Sequence, residues 1–262
     1  TTRGDVWTTS VSWNNDLYWV ESVPNPNHPG AEKLRGVTGR SLPQGRVDWR
    51  YPFVRERESF RQILEPVASV IVSPGSANPN RIPNEDSQDF EFDDTNLFSL
   101  NRFPGIDRVE GGTRAIYGLR GTAFGNGIGV SEVFFGQTYQ FRTQNDLFES
   151  GSGLNDKLSD YVGRLRISPS SYFDLLYRFR LEHQGFQPAR TEIAASGGVN
   201  AFRLGARYLN FEQRRDVNFS GVSEQIYLSA SSQFTKNWST RAGHIRNLGT
   251  NGGSLAHVLG LT

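Results

Sequence analysis

Period-two alternation dominates the second half of this chain. Phe173, Leu175, Tyr177, Phe179 and Leu181 fall on one parity and Asp174, Arg178, Arg180 and Glu182 on the other, with Leu176 the one intruder. Successive side chains of an extended strand point to opposite faces, so such a run builds a surface with an apolar medium on one side and water on the other. The same grammar sets Tyr161, Gly163, Leu165 and Ile167 against Arg164, Arg166 and Ser168. It recurs with Phe202, Leu204, Ala206 and Tyr208 against Arg203, Gly205 and Arg207, and with Ile226, Leu228 and Ala230 against Gln225, Ser229 and Ser231. Leu158, Tyr161, Val162 and Leu165 also fit a helical stripe. Pro169-Ser170-Ser171, however, reads as a turn leading straight into the next alternating run, which makes the pair a hairpin.

Marking every such run predicts an all-β antiparallel chain of about twelve strands. They lie near residues 6–20, 44–54, 60–73, 113–124, 128–142, 158–168, 172–184, 189–196, 200–211, 223–234, 237–247 and 253–262. The connectors sort by parity. One set is short: Arg55 to Ser59, Gly125 to Gly127, Pro169 to Ser171, Gly197 to Val199 and Thr235-Lys236. The alternate set is mostly long, comprising Glu21 to Pro43, Pro74 to Gly112, Gln144 to Asp156 and Glu212 to Gly221, with Gly185 to Pro188 and Leu248 to Gly252 as exceptions. Short turns at one end and long loops at the other are the signature of an outer-membrane β-barrel. A soluble antiparallel sheet alternates too. The loop parity, the arginine-rich second face and the 18 Phe, 9 Tyr and 5 Trp favour the barrel. In it, Trp7, Trp13, Tyr18, Trp19, Trp49, Tyr51 and Trp238 are candidates for interfacial girdles.

Composition removes other classes. No stretch reaches the ~18 apolar residues of a membrane-spanning helix. With no cysteine, disulfide scaffolds, zinc ribbons and thiol enzymes drop out. A net charge of +1 gives no field to attract a nucleic acid. The chain also lacks methionine and opens on Thr1-Thr2-Arg3, which reads as a segment from inside a longer precursor.

Catalytic, cofactor and metal signatures are not evident in the sequence. Gly125-Asn126-Gly127-Ile128-Gly129 joins strand to strand and offers no helix terminus to a phosphate. No Gly-x-Ser-x-Gly elbow is present, and His28, His183, His244 and His257 lie far apart without a His-x-x-x-His pair. The arginines of the polar parity admit two readings. Arg114, Arg120, Arg142, Arg164, Arg166, Arg178, Arg180, Arg203 and Arg207 either line an anion-attracting passage or lace a lumen with salt bridges to Asp174, Glu182 and Glu132.

The densest segment runs from Ile82 to Gly112. It mixes Glu85, Asp86, Asp89, Glu91, Asp93 and Asp94 with Phe90, Phe92, Leu97, Phe98, Leu100 and Phe103, which is too apolar for a disordered tail. The acids lack the ligand spacing and loop glycine of an EF-hand. A connector this long is expected to fold over or into the barrel mouth. Asp107, Arg108 and Glu110 form a charge cluster where it re-enters a strand, and Gly111-Gly112 lets the backbone bend there.

Leu64-Glu65-Pro66, Asp93-Asp94-Thr95-Asn96-Leu97-Phe98, Asn101-Arg102-Phe103, Gly105-Ile106-Asp107-Arg108, Glu110-Gly111-Gly112 and Tyr117-Gly118 together closely resemble the LptD family. These are outer-membrane lipopolysaccharide-assembly proteins, and the wording is nearest the alphaproteobacterial branch. The firm resemblance covers roughly Val47 to Tyr117. It implies a barrel of about 26 strands in contact with outer-membrane lipid, with an upstream periplasmic jellyroll. It also implies lipopolysaccharide as cargo, an LptE-type plug lipoprotein, delivery by an LptA-type periplasmic bridge docking on the jellyroll, and no cofactor. This chain carries neither the jellyroll, nor the family's cysteines, nor an evident terminal barrel strand. It therefore reads as a middle-to-late part of the barrel over residues 1–262, with 74–112 as an extracellular or lumen-capping loop and no gate residues to assign.

The resemblance makes Asp93, Asp94, Asn96, Arg102, Asp107, Arg108, Glu110, Gly111 and Gly112 the loop-motif candidates. Arg102 and Arg108 are expected to anchor the acidic loop, with Asp93, Asp94, Asp107 and Glu110 as partners. Arg164, Arg166, Arg178, Arg180, Arg203 and Arg207 are the lumen-facing candidates. The leading expectation is a non-enzymatic transport subunit. An independent twelve-stranded barrel, as an autotransporter pore or lipid hydrolase, would have to pair its first and last strands. A soluble β-rich binding module or glycosidase would need no detergent, and the glycosidase would also need paired carboxylates in a cleft.

Overall fold

The computed structural model describes residues 4–23, 33–75, 78–87, 91–125, 129–142, 147–148, 151–199, 201–211, 224–249 and 252–262. Among them run thirteen strands: β1 (Val6–Val23), β2 (Leu34–Arg50), β3 (Phe53–Glu56), β4 (Phe60–Val72), β5 (Arg114–Gly125), β6 (Gly129–Gln140), β7 (Tyr161–Ser170), β8 (Phe173–Leu181), β9 (Pro188–Val199), β10 (Phe202–Phe211), β11 (Glu224–Gln233), β12 (Ser239–Asn247) and β13 (Gly253–Leu261). They form one antiparallel sheet in the order β1-β2-β4-β5-β6-β7-β8-β9-β10-β11-β12-β13, with β3 against β4. Apart from β3, each strand neighbours the next in sequence, as an up-and-down barrel wall requires.

Four sequence expectations need correction. The predicted strand at 44–54 is two strands separated at Tyr51-Pro52: β2 ladders with Val67–Val72 of β4, whereas β3 ladders with Arg61–Leu64. The predicted connector Glu21 to Pro43 ends earlier, because β2 already begins at Leu34 and pairs with β1 through Pro43, which sits opposite Trp13. A proline is tolerated there because β2 has its β4 partner only from Gly45 onward. The predicted turn at Pro169-Ser170-Ser171 also moves: β7 runs to Ser170 through a register shift after Ile167, which accommodates Pro169, and the turn is Ser171-Tyr172. Likewise β9 continues through Gly197 to Val199 rather than turning there. The expected Gly125–Gly127 turn falls largely, and Glu212 to Gly221 wholly, outside the described residues.

The chain divides into two compact units. The first comprises residues 1–51, 67–117 and 137–159. On one face of its β1–β2 hairpin Trp7, Val11, Trp13, Leu17 and Trp19 stand exposed, Trp13 at 70% and Leu17 at 80%, so among the described residues nothing covers this face, as the apolar band of a barrel wall requires. Across the hairpin the alternate parity carries Asp16, Tyr18, Arg40, Gln44, Arg46 and Asp48, and there the connecting segments pack. Leu42, Ile71, Phe92, Leu97, Val109, Ile116, Phe148 and Leu154 are buried in this unit. Each fully buried Leu, Ile or Phe contributes about 1.5–3 kcal/mol, so the segment is held by a true core.

The second unit comprises residues 52–66, 118–136 and 160–262. Here the sheet faces are mostly half-exposed, and few apolar residues, among them Phe134, Val162 and Ala189, are buried. Tyr161 stacks on Phe135 at 5.3 Å and on Phe186 at 5.1 Å, an aromatic row on the apolar face at the long-loop end.

Candidate functional site

The conspicuous site is the segment 78–112, bound to the polar face of β1–β2 by side chains that receive its backbone. All five N–H donors of Arg40 are occupied. Nε meets Asp16 Oδ2 at 2.6 Å, Nη1 meets Asp107 O at 2.7 Å and Asn78 Oδ1 at 3.2 Å, and Nη2 meets Tyr18 Oη at 3.2 Å and the carbonyl of Ile106. Tyr18 also donates to Ile106 O at 2.9 Å. Farther along β2, Gln44 donates to Glu110 O at 3.1 Å, and Arg46 to Phe98 O at 2.7 Å. From β5, Arg114 donates to Ser99 O at 2.9 Å and Leu100 O at 2.8 Å. A buried carbonyl without a donor is costly, so these side chains replace a sheet ladder that an irregular segment lacks.

Within the segment, asparagines do similar work. Asn101 Oδ1 accepts from Phe103 N–H and Glu110 N–H, while its amide donates to Arg108 O. Asp86 accepts from Ile106 N–H at 2.9 Å and Asp107 N–H at 3.0 Å, and Asp107 accepts in return from Glu85 N–H at 2.7 Å and Asp86 N–H at 3.1 Å. The Ile106 and Asp107 amides and the Ser87 hydroxyl hold the Asp86 carboxyl at about 2, below its ordinary 3.8. Gly105 is required at the centre of this clasp: its φ is +71°, and a Cβ would stand 2.3 Å from Asp86 Cγ.

Of the loop-motif candidates, Arg102 and Glu110 are together and fully buried, at 3.2 Å, with Arg114 joining the same carboxylate at 3.3 Å. Burial pulls the Arg102 guanidinium down to about 10; Glu110 opposes this and Arg114 adds to it. The guanidinium also lies over the Phe92 ring at 5.3 Å. Asp93 and Asn96 close a turn locally: Asp93 accepts from Thr95 N–H at 2.8 Å, and Asn96 Oδ1 accepts from Asp93 N–H at 3.1 Å. Asp94 is half-buried beside them. Gly112 N–H donates to Pro74 O at 2.7 Å, and a Cβ on Gly111 would meet that carbonyl at 2.7 Å. Arg108 joins through its backbone, its N–H donating to Ser87 Oγ at 3.2 Å; among the described residues no carboxylate pairs with its side chain. The anchors that sequence reasoning missed are Arg40, Gln44, Arg46 and Asn78, while Asn101 stands in the motif without a role assigned to it. The loop partners of these four lie 31 to 67 positions away, a relationship no local spacing carries. Asp89 and Phe90 lie outside the described residues.

In the second unit, strand register puts Arg164, Arg166, Arg178, Arg180, Arg203 and Arg207 on one face of the sheet. Arg164 meets Glu132 at 3.5 Å and Arg166 meets Asp174 at 2.9 Å. Arg178 and Arg207 each reach Glu192 at 3.7 Å, and Arg190 reaches it at 3.2 Å. Arg180 lies 3.7 Å from Asp160, whose carboxyl is pushed up by burial against the opposing pull of Arg180 and His183. Arg203 donates to Ser196 Oγ at 3.0 Å. The acids at the hubs are thus Glu192 and Asp160, in addition to Glu132 and Asp174; Glu182 makes no ion pair among the described residues. Of the two sequence readings, this face carries the salt-bridged one, with arginine still in excess.

Comparison with known proteins gives a consistent result. Residues 1–238 match the family model described as LptD, LPS transport system D. The LPS-assembly protein LptD of Chromobacterium violaceum is 24% identical over 245 residues, covering 87% of this chain and 31% of that protein. The LPS-assembly protein LptD of Albidiferax ferrireducens is 27% identical over 176 residues, covering 64% of this chain and 22% of that protein. The chain therefore spans less than a third of the length of either curated relative.

Proposed function

We propose that this chain, which belongs to the LptD family, forms part of the wall and an ordered interior segment of an outer-membrane translocon that assembles lipopolysaccharide into the outer leaflet. The chain is a length of outer-membrane β-barrel, and its family is one of transport proteins. The observation that carries the finer reading is the two-sided β1–β2 hairpin, with bare tryptophans on one face and a locked polar segment on the other. An amphiphile with acyl chains and a phosphorylated saccharide needs such a wall, apolar toward lipid and wet within. The arginine face of β7–β10 can pair with phosphates as guanidinium groups do.

On this reading the polar face is the lumen and segment 78–112 caps it from inside. Lipopolysaccharide is the cargo, an LptE-type lipoprotein occupies the lumen, and an LptA-type bridge delivers cargo to an upstream jellyroll of the full-length protein. No covalent step is assigned to this chain.

The test is made in cells with the full-length protein, replacing residues 78–110 by a short Gly/Ser linker. Loss of surface lipopolysaccharide, while the protein still reaches the outer membrane and keeps its heat-dependent gel mobility, is the expected result. Normal surface lipopolysaccharide with a confirmed replacement would overturn the role given to the segment.

A further inference from the structure

The four histidines give no metal motif by spacing, yet the fold brings two together. His244 of β12 and His257 of β13 are direct register partners. Their Nδ1 atoms are 3.2 Å apart and their ring centroids 4.6 Å. Both side chains are accessible, and both lie on the apolar parity, in one rung with Ala206 and Leu228. We propose that His244 and His257 form a two-imidazole chelate for a borderline transition-metal ion of the Zn²⁺, Ni²⁺ or Cu²⁺ class.

The geometry fits a chelate. With metal–nitrogen bonds of about 2.0–2.1 Å, two nitrogens at this separation subtend about 100° at the ion, between the square-planar and tetrahedral angles. Imidazole is the ligand type that this group of ions prefers. No third His, Cys, Asp or Glu converges with the pair among the described residues, so the remaining coordination positions are open to water or to an oxygen of a lipid headgroup.

The position in the strand supports access. The next rung toward the long-loop end holds Tyr208, Ile226 and Arg246, with Tyr208 donating to Glu224 at 2.8 Å. A tyrosine, an arginine and a glutamate mark the water boundary of the apolar band. The histidines are two residues inside it, about 7 Å along the strand and less in depth once strand tilt is included. An ion there is at the interface rather than in mid-hydrocarbon, where charge is costly. Immediately beside the pair the β12–β13 register shifts between Ile245 and Arg246. Such irregularities re-aim side chains and weaken a ladder, and a bound ion would staple the two strands at that point.

The experiment uses the full-length protein purified in detergent, with Cu²⁺ alone as probe, comparing wild type with His244→Gln, His257→Gln and, as control, His183→Gln. Isothermal titration should show one site in wild type and in the control, weakened by roughly 10²-fold in either pair variant because the chelate advantage is lost. Electron paramagnetic resonance should show two coupled nitrogens falling to one. Heat-dependent gel mobility verifies that each variant is folded. Folded pair variants that bind Cu²⁺ as wild type does would overturn the proposal and leave the histidines as a hydrogen-bonded pair.

Discussion

Asn78 binds Val109 as a neighbouring strand would: its Oδ1 accepts from Val109 N–H at 2.9 Å and its amide donates to Val109 O at 2.8 Å. One side chain thus satisfies both backbone groups of a buried residue, and the same Oδ1 also takes a bond from Arg40. The start of segment 78–112 is fastened to its end, and both to the hairpin beneath.

Asn78→Ala should therefore loosen the segment. It leaves the two backbone groups of Val109 unpaired in a buried setting, a cost of about 1–3 kcal/mol. The barrel should remain assembled while limited proteolysis within 78–110 accelerates. Unchanged cleavage would show that water replaces the amide at no cost.

Glu110→Ala should be far more damaging. It leaves Arg102 and Arg114 as buried like charges without their shared carboxylate, a loss of about 3–5 kcal/mol. Replacing Arg102 by Met together with Glu110 by Gln removes one cation and the anion at once and should recover part of that loss. Thermal unfolding in detergent, read as the two midpoints, decides the order.

Acid should open the Asp86–Asp107 clasp. The carboxyl of Asp86 sits at about 2 against an ordinary 3.8. A lowered value means that folding favours the ionised form, so the contribution is complete above the ordinary value and disappears as pH falls through about 2. Pepsin cleavage of the segment should rise as pH falls across that window in the wild type. Asp86→Asn should already be sensitive above it.

The arginine face offers a contrast of magnitude. Glu192 is buried and gathers Arg178, Arg190 and Arg207, so Glu192→Ala should lower the thermal midpoint markedly. Arg207, with its side chain 58% exposed, forms a screened pair of about 0–1 kcal/mol. Arg207→Ala should shift the midpoint little; equal shifts would mean that Glu192 does not act as the hub.

The strands were legible because a sheet with oil on one side writes itself as alternation. Phe173 to Leu181 and Phe202 to Phe211 need no tertiary knowledge. The first half of β2 was not legible, since Gly36, Gly39, Ser41, Pro43 and Gly45 set no apolar rhythm and pair only because long β1 lies beside them. In the loop, the motif points to Arg108, whose side chain has no carboxylate partner among the described residues, and not to Arg40, which lies inside an apparent connector. Charge density marks where ionic residues gather, but a guanidinium binds backbone carbonyls as readily as carboxylates, and carbonyls leave no trace in composition. The histidine pair was hidden for a related reason: it depends on the register between β12 and β13, which shifts beside it between Ile245 and Arg246.

The reach of Arg40 also orders events in time. β7 and β8 are joined by the two-residue turn at Ser171-Tyr172 and can zip as soon as both are available. The contacts of Arg40 with Ile106 and Asp107 close loops of 66 and 67 residues, and such closures are slow because chain entropy must be lost before any contact forms. The hairpins that follow in sequence can thus mature before the lock that precedes them. A nascent sheet of this kind would spend an interval with its later hairpins zipped and segment 78–112 not yet fastened to β1–β2.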